Sequence, residues 1–153
     1  MATYSGIPRS KNGKYIGYRV KSGDAAVEGR GMELYDNTTD DRVEVTADTT
    51  ADTGMCAGIV VEPVTAVESA LSGGTRTSLQ VSGVAKFICQ AAISTLGALI
   101  SFGDTAGRFK TCGNTADTRY MTHGRCLGLP DTAGDACSVM LNLNVPDTME
   151  PAG

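Results

Sequence analysis

The sequence predicts an all-β protein, a small barrel or sandwich of short antiparallel strands with an extended N-terminal arm. Three observations carry that expectation. The 153 residues include 18 Thr and 19 Gly, and β-branched residues punctuated by turn formers make short strands and tight turns. Two long stretches, 79–89 and 137–145, alternate with period 2: Leu79, Val81, Gly83, Ala85, Phe87 and Cys89 in one, Cys137, Val139, Leu141, Leu143 and Val145 in the other. Only 64–71 (VTAVESAL) offers so much as a turn or two of helix.

Residues 1–31 differ from the rest of the chain. They carry six basic groups (Arg9, Lys11, Lys14, Arg19, Lys21, Arg30) against Asp24 and Glu28, a net of +4, while residues 32–153 carry −8. Three of the five tyrosines, Tyr4, Tyr15 and Tyr18, lie here too. Within 15–20, Ile16, Tyr18 and Val20 fall on one side. That pattern suits an edge strand of the chain's own sheet, or an arm that adds to a neighbour's sheet. Tyr and Arg are common interface anchors, which favours the arm, with Arg9, Lys11, Lys14, Tyr15, Tyr18, Arg19 and Lys21 as contacts to a neighbouring chain.

The body, residues 32–145, continues with short strands expected at 32–35, 42–46, 57–62, 99–102, 108–111 and 125–129. Clusters of Asp, Gly, Thr and Asn at 36–41, 103–107, 113–117 and 131–135 read as the turns between them. A weak internal repeat runs through the body. Segments beginning Gly31, Arg42, Ala51, Met55 and Ser78 recur in order at Gly97, Arg108, Ala116, Arg125 and Ser138, as two related four-strand units. That alignment puts Cys56 and Cys126 in matching slots, which favours packing roles. Residues 146–153 read as a loose, Pro-flanked tail.

Chemistry is sparsely encoded. There is one histidine and no tryptophan. Gly6…Gly13-Lys14 is too long for a phosphate-binding loop and lacks its Ser or Thr; no G-x-S-x-G occurs; and Gly29-Arg30-Gly31 lacks a dinucleotide-binding context. His123 would need a carboxylate and a nucleophile beside it to act as a base, and nothing selects Asp104, Asp117 or Cys126 for that role. The five cysteines show no metal-ligand spacing; Cys89 and Cys137 fall on the apolar phase of strands. Neither acidic turn matches a calcium loop. No enzyme activity, cofactor or metal is expected. Spread basic residues without a recognition motif, on an acidic body, argue against nucleic acid. No apolar run is long enough for a membrane helix, and no leader precedes the body, so synthesis in a reducing cytoplasm is expected.

The body carries the segments GIVVEP, LQVSGVAKFIC, GALISFGDTAGRFK and GRCLGLPDTAGDACSVMLNL. In this pattern of turns and strands, from about 32 to 145, the chain resembles bacteriophage head decoration proteins, also called capsid cement proteins. The resemblance implies a compact β-rich virion protein, often a homotrimer. Its partner would be the major capsid protein, on the outer surface of an expanded icosahedral head, where it resists the pressure of packaged DNA. The long basic arm departs from that pattern. The competing expectation is a receptor- or glycan-binding β-module of a phage fibre or tail, though aromatics are only 5% of the chain.

Overall fold

The computed structural model describes residues 13–37, 42–113 and 119–148. They form ten strands and one short helix in two antiparallel five-stranded sheets packed as a sandwich, as the composition predicts. The first sheet holds β1 (Tyr15–Arg19), β2 (Gly31–Asn37), β3 (Arg42–Thr46), β4 (Cys56–Val60) and β5 (Arg76–Gln80). The second holds β6 (Val84–Ile88), β7 (Leu99–Phe102), β8 (Phe109–Thr111), β9 (Arg119–Cys126) and β10 (Ala136–Thr148). The helix α1 (Ala66–Ser69) follows β4 and starts at Thr65, whose hydroxyl accepts the Glu68 N–H at 3.1 Å.

The two sheets repeat one another. Their strand orders are β1-β5-β4-β2-β3 and β6-β10-β9-β7-β8, so adding five to each number converts the first into the second. The hydrogen bonds outside the ladders repeat as well. Val20 donates to Thr75 O as Cys89 does to Asp135 O, and Ala26 to Val64 O as Ile93 does to Pro130 O. Gly29 donates to Val60 O as Gly97 does to Cys126 O, and Val61 to Ser78 O as Leu127 does to Ser138 O. Each sheet curls until its first and third strands meet at a parallel bridge, Val20 to Val45 and Cys89 to Phe109. Gly58 and Gly124 occupy the same place in the two sheets with φ of 151° and 153°. At Gly58 a Cβ would sit 2.8 Å from the Leu79 side chain and 2.9 Å from Gln80 O, so both the backbone angle and the close strand crossing require glycine.

The repeat therefore has five strands per unit and a different register from the one expected. Ser78 and Ser138 do correspond. Cys126 corresponds to Val60, four residues past Cys56, so the two cysteines do not share a slot. Both are buried all the same.

The long alternating run 79–89 is not one strand. It divides into β5 and β6, which belong to different sheets, because Gly83 (φ 82°) turns the chain. Gln80 Nε2 braces that turn, donating to Ser82 O and Val84 O at 3.0 Å each. β9 starts at Arg119 rather than 125, because 119–122 pair with the far end of β10. Pro146–Thr148 of the expected tail thus belong to a strand. β6 pairs with β10 only up to Met140, so the missing N–H of Pro146 faces an open edge. Residues 149–153 lie outside the described residues.

β1 is an edge strand paired with β5, and Val20 and Ala26 are buried in the first sheet's core. Residues 1–12, including Tyr4, Arg9 and Lys11, lie outside the described residues.

Two cores result. One lies inside the first sheet and is aliphatic: Val20, Ala26, Met32, Val45, Ala57, Val60, Val64 and Leu79. The other lies inside the second sheet and is aromatic, with Phe87, Phe102 and Phe109 among Ile93, Ile100, Cys126 and Val139. Cys56 and Ile59, from the outer face of the first sheet, complete the second core and join the sheets. Asn144 adds a polar clamp: Cys56 N–H donates to its Oδ1 at 2.7 Å, and its Nδ2 donates to Cys56 O at 2.9 Å.

Candidate functional site

The residues expected to make contacts are distributed along β1 and its ends. Tyr15 and Ile16 are exposed, and β1 stands at the end of the first sheet's strand order, paired with β5 along one side. Ile16, Tyr18 and Val20 do share a side: Val20 is in the first core and Tyr18 packs against it. Lys14, just before the strand, is exposed and donates its backbone N–H to Ser82 Oγ at 3.1 Å.

Arg19 and Lys21 are partly committed within the fold. Arg19 Nε lies 3.5 Å from Oε1 of the buried Glu44. Lys21 Nζ lies 4.7 Å over the Tyr35 ring and 3.9 Å from Asp48, an exposed pair worth little by itself. A groove of about 420 Å³ gathers Tyr18 and Arg19 with Gly17, Val43, Gly73 and Arg76. Arg76 was not among the expected residues. It stands directly across from Arg19 in the β1–β5 ladder, a pairing separated by most of the first unit in sequence. Two guanidinium groups, an aromatic ring and a strand edge make this groove suited to an extended or acidic segment of another protein.

The remaining candidates resolve as packing groups. His123 is fully buried in β9, with its ring centre 4.9 Å from Phe102 and 6.1 Å from Phe109. Its Nδ1 accepts the Asn144 backbone N–H at 3.4 Å, and Nε2 has no partner with hydrogen-bonding geometry among the described residues. Burial lowers its pKa from 6.5 to about 4, which the nearby Gly54 backbone offsets only in part. The ring is neutral at pH 7, and its hydrogen-bond partner is a backbone group, not a carboxylate.

All five cysteines are free thiols. Burial pushes the thiols of Cys56 and Cys137 up to about 12, far from the range of a reactive thiolate. Cys126 and Cys137 lie with their sulfurs 3.8 Å apart. Asp135 caps its own turn, accepting the Thr132 N–H at 3.1 Å; Asp117 lies outside the described residues. Among the described residues, no three His, Cys, Asp or Glu gather as metal ligands, and no helix is long and apolar enough to cross a membrane.

The class this architecture defines is a duplicated, curled β-sandwich whose exposed features are strand edges and shallow grooves. No protein-family model and no curated protein matches the chain. Among solved structures, it is similar to the head fiber gp8.5 N base in bacteriophage phi29, with a TM-score of 0.59 and 13% identity. The match covers 86% of this chain and 98% of that one, so the likeness takes in both repeats. At that identity the two share a fold.

Proposed function

We propose that this chain is a structural protein of a phage virion, attached to the outside of an icosahedral head through the major capsid protein and cementing capsid subunits against DNA pressure. The observation that carries the reading is the likeness to a phage head-fiber base over nearly that chain's whole length. It agrees with the resemblance to head decoration proteins in the turns and strands of the body. The role is attachment, not catalysis: the chain acts as a homotrimer, needs no cofactor, engages neither nucleic acid nor membrane, and is made in the host cytoplasm. Several copies multiply a modest contact into firm attachment. The β1 edge and its groove form the contact, with Tyr15, Tyr18 and Arg19, flanked by Lys14 and Lys21 and preceded by Arg9 and Lys11.

The same likeness favours a second reading, in which the chain is the base of a head fibre or part of a receptor-binding fibre. One experiment addresses both. The full chain is mixed with expanded, undecorated heads, and co-sedimentation and head thermal stability are measured. Binding with raised thermal stability supports cementing. Binding without it supports a fibre base. Absence of binding overturns attachment. Replacing Tyr15 and Arg19 with Ala is expected to weaken binding, and unchanged binding would remove β1 from the contact.

A further inference from the structure

One unit of this chain already docks on the other, and the repeat specifies where the next unit would go. The outer face of the first sheet, at Gly31, Cys56 and Ile59, covers the open mouth of the second sheet at Phe102 and Phe109. The fit is close: a Cβ on Gly31 would lie 2.6 Å from both rings. Backbone contacts accompany it, with Gly31 donating to Gly107 O at 2.8 Å, Gly107 donating to Thr49 Oγ1 at 2.8 Å, and Asp52 donating to Phe102 O at 3.0 Å.

The ladders identify the equivalent surfaces that this contact leaves unused. Leu99 pairs with Arg125, and Arg125 with Met140, as Gly31 pairs with Ile59, and Ile59 with Gln80. The outer face of the second sheet is therefore Leu99, Arg125 and Met140. No described residue covers it, and it forms a groove of about 310 Å³, further lined by Thr122, Val145 and Asp147. In the first sheet, Leu34 pairs with Val45 as Phe102 pairs with Phe109. The mouth of the first sheet is thus Leu34, Val45 and Val43. Leu34 and Val43 are 52% and 61% exposed, among the most exposed large apolar residues of the described chain.

We infer that these two surfaces bind each other between copies: the outer groove of the second sheet in one copy receives the mouth of the first sheet in another. Three observations specify a second copy as the occupant. The contact continues the interface already made inside the chain. The volumes exchange, since glycine meets two phenylalanines within the chain, whereas Leu99 would meet the smaller, exposed Leu34, whose ladder partner Val45 is buried. Charges of both signs rim both surfaces, Arg125 and Asp147 in the groove and Asp36 and Arg76 beside Val43 of the mouth, so opposite charges can pair across the contact. The two surfaces differ, so the contact is head-to-tail and one copy can engage two neighbours. Neighbouring exposed apolar residues rimmed by charge are what such a contact requires.

Such a contact bears on the homotrimer of the proposed function, and Val43 also lines the β1 groove assigned to the capsid; self-association is therefore measured without heads, so that its failure is distinguishable from a failure of head binding. The test is sedimentation velocity of the full chain over a range of concentrations, with Leu34→Asp on one surface and Met140→Asp on the other. Both positions are exposed, and circular dichroism checks that each variant folds. The wild-type chain is expected to self-associate, and each variant to lose about tenfold or more in association constant. Mixing the two variants is the decisive arm. Each keeps one intact surface, so a one-to-one complex forms that neither makes alone and that grows no further. A monomeric wild type, variants that associate as the wild type does, or a mixture that stays monomeric each overturns the inference.

Discussion

The buried His123 makes the fold sensitive to mild acid, with a slope that can be worked out. Its pKa falls from 6.5 to about 4 because the ring is enclosed by Phe102 and Phe109, and its hydrogen-bond partner is backbone rather than an acid that would hold a charge. The unfolded chain, where the ring titrates normally, therefore binds more protons than the folded chain between those two values. Stability is fully present above pH 6.5 and is lost as pH falls toward 4. At about 1.4 kcal/mol per pH unit the whole loss is about 3 kcal/mol, of which about 2 kcal/mol falls between pH 7 and pH 5. Most carboxylates titrate below that window, so the histidine contribution can be isolated. Urea unfolding at pH 7, 6 and 5 is measured for the wild type and for His123→Gln, which keeps a polar side chain of similar size but has nothing to titrate. The variant is expected to start less stable and to show a much flatter pH profile. If both proteins lose the same stability between pH 7 and pH 5, burial of a neutral imidazole is not the cause and the reasoning fails.

Two further perturbations probe how the sheets are joined. Gly31→Ala places a methyl group against Phe102 and Phe109 and is expected to cost about 1–3 kcal/mol in urea unfolding. Gly17→Ala, whose nearest neighbour would be Thr77 O at 4.0 Å, serves as a near-neutral control; equal effects would refute the close-packing argument. Asn144→Ala removes both hydrogen bonds to Cys56 and should cost about 2–3 kcal/mol, while a loss within measurement error would show that the clamp is dispensable.

Much of the strand content was legible from local alternation. The expected strands at 42–46 and 99–102 coincide with β3 and β7, and the helical turn at 64–71 brackets α1. Local patterns misled where distant pairing decided the outcome. Across Val81-Ser82-Gly83 the alternation stays in phase, so nothing in the spacing reveals that the chain leaves one sheet for the other. Residues 120–124 look like a turn because they mix Thr, His and Gly, yet β10 draws them into a strand. In β10 the apolar phase slips at a bulge between Leu141 and Val145, which exposes Val145 and turns Asn144 toward Cys56. The groove at β1 was half visible: Tyr18 and Arg19 stood out, while Arg76 joins them only through antiparallel register.

The repeat was legible in order but not in register, and the reason bears on how the molecule is built. Cysteines and arginines were the conspicuous markers, and they do not occupy equivalent positions. The equivalent positions are set by backbone demands, at Gly29 with Gly97, Gly58 with Gly124, and Gly74 with Gly134, all at positive φ. Side chains have diverged around that shared backbone, and in one direction. All three phenylalanines of the chain line the second core, whereas the first is filled by valine, alanine, leucine and methionine. Wide rings leave a large apolar mouth that is costly to expose, and the glycine and small side chains of the first sheet's outer face cover it closely. The aliphatic mouth is narrower and keeps only Leu34 and Val43 at its rim, so the folded chain tolerates leaving it open. Duplicating one curled sheet and then making the two interiors unequal thus creates one interface satisfied within the chain and leaves its counterpart exposed at Leu34 and Val43.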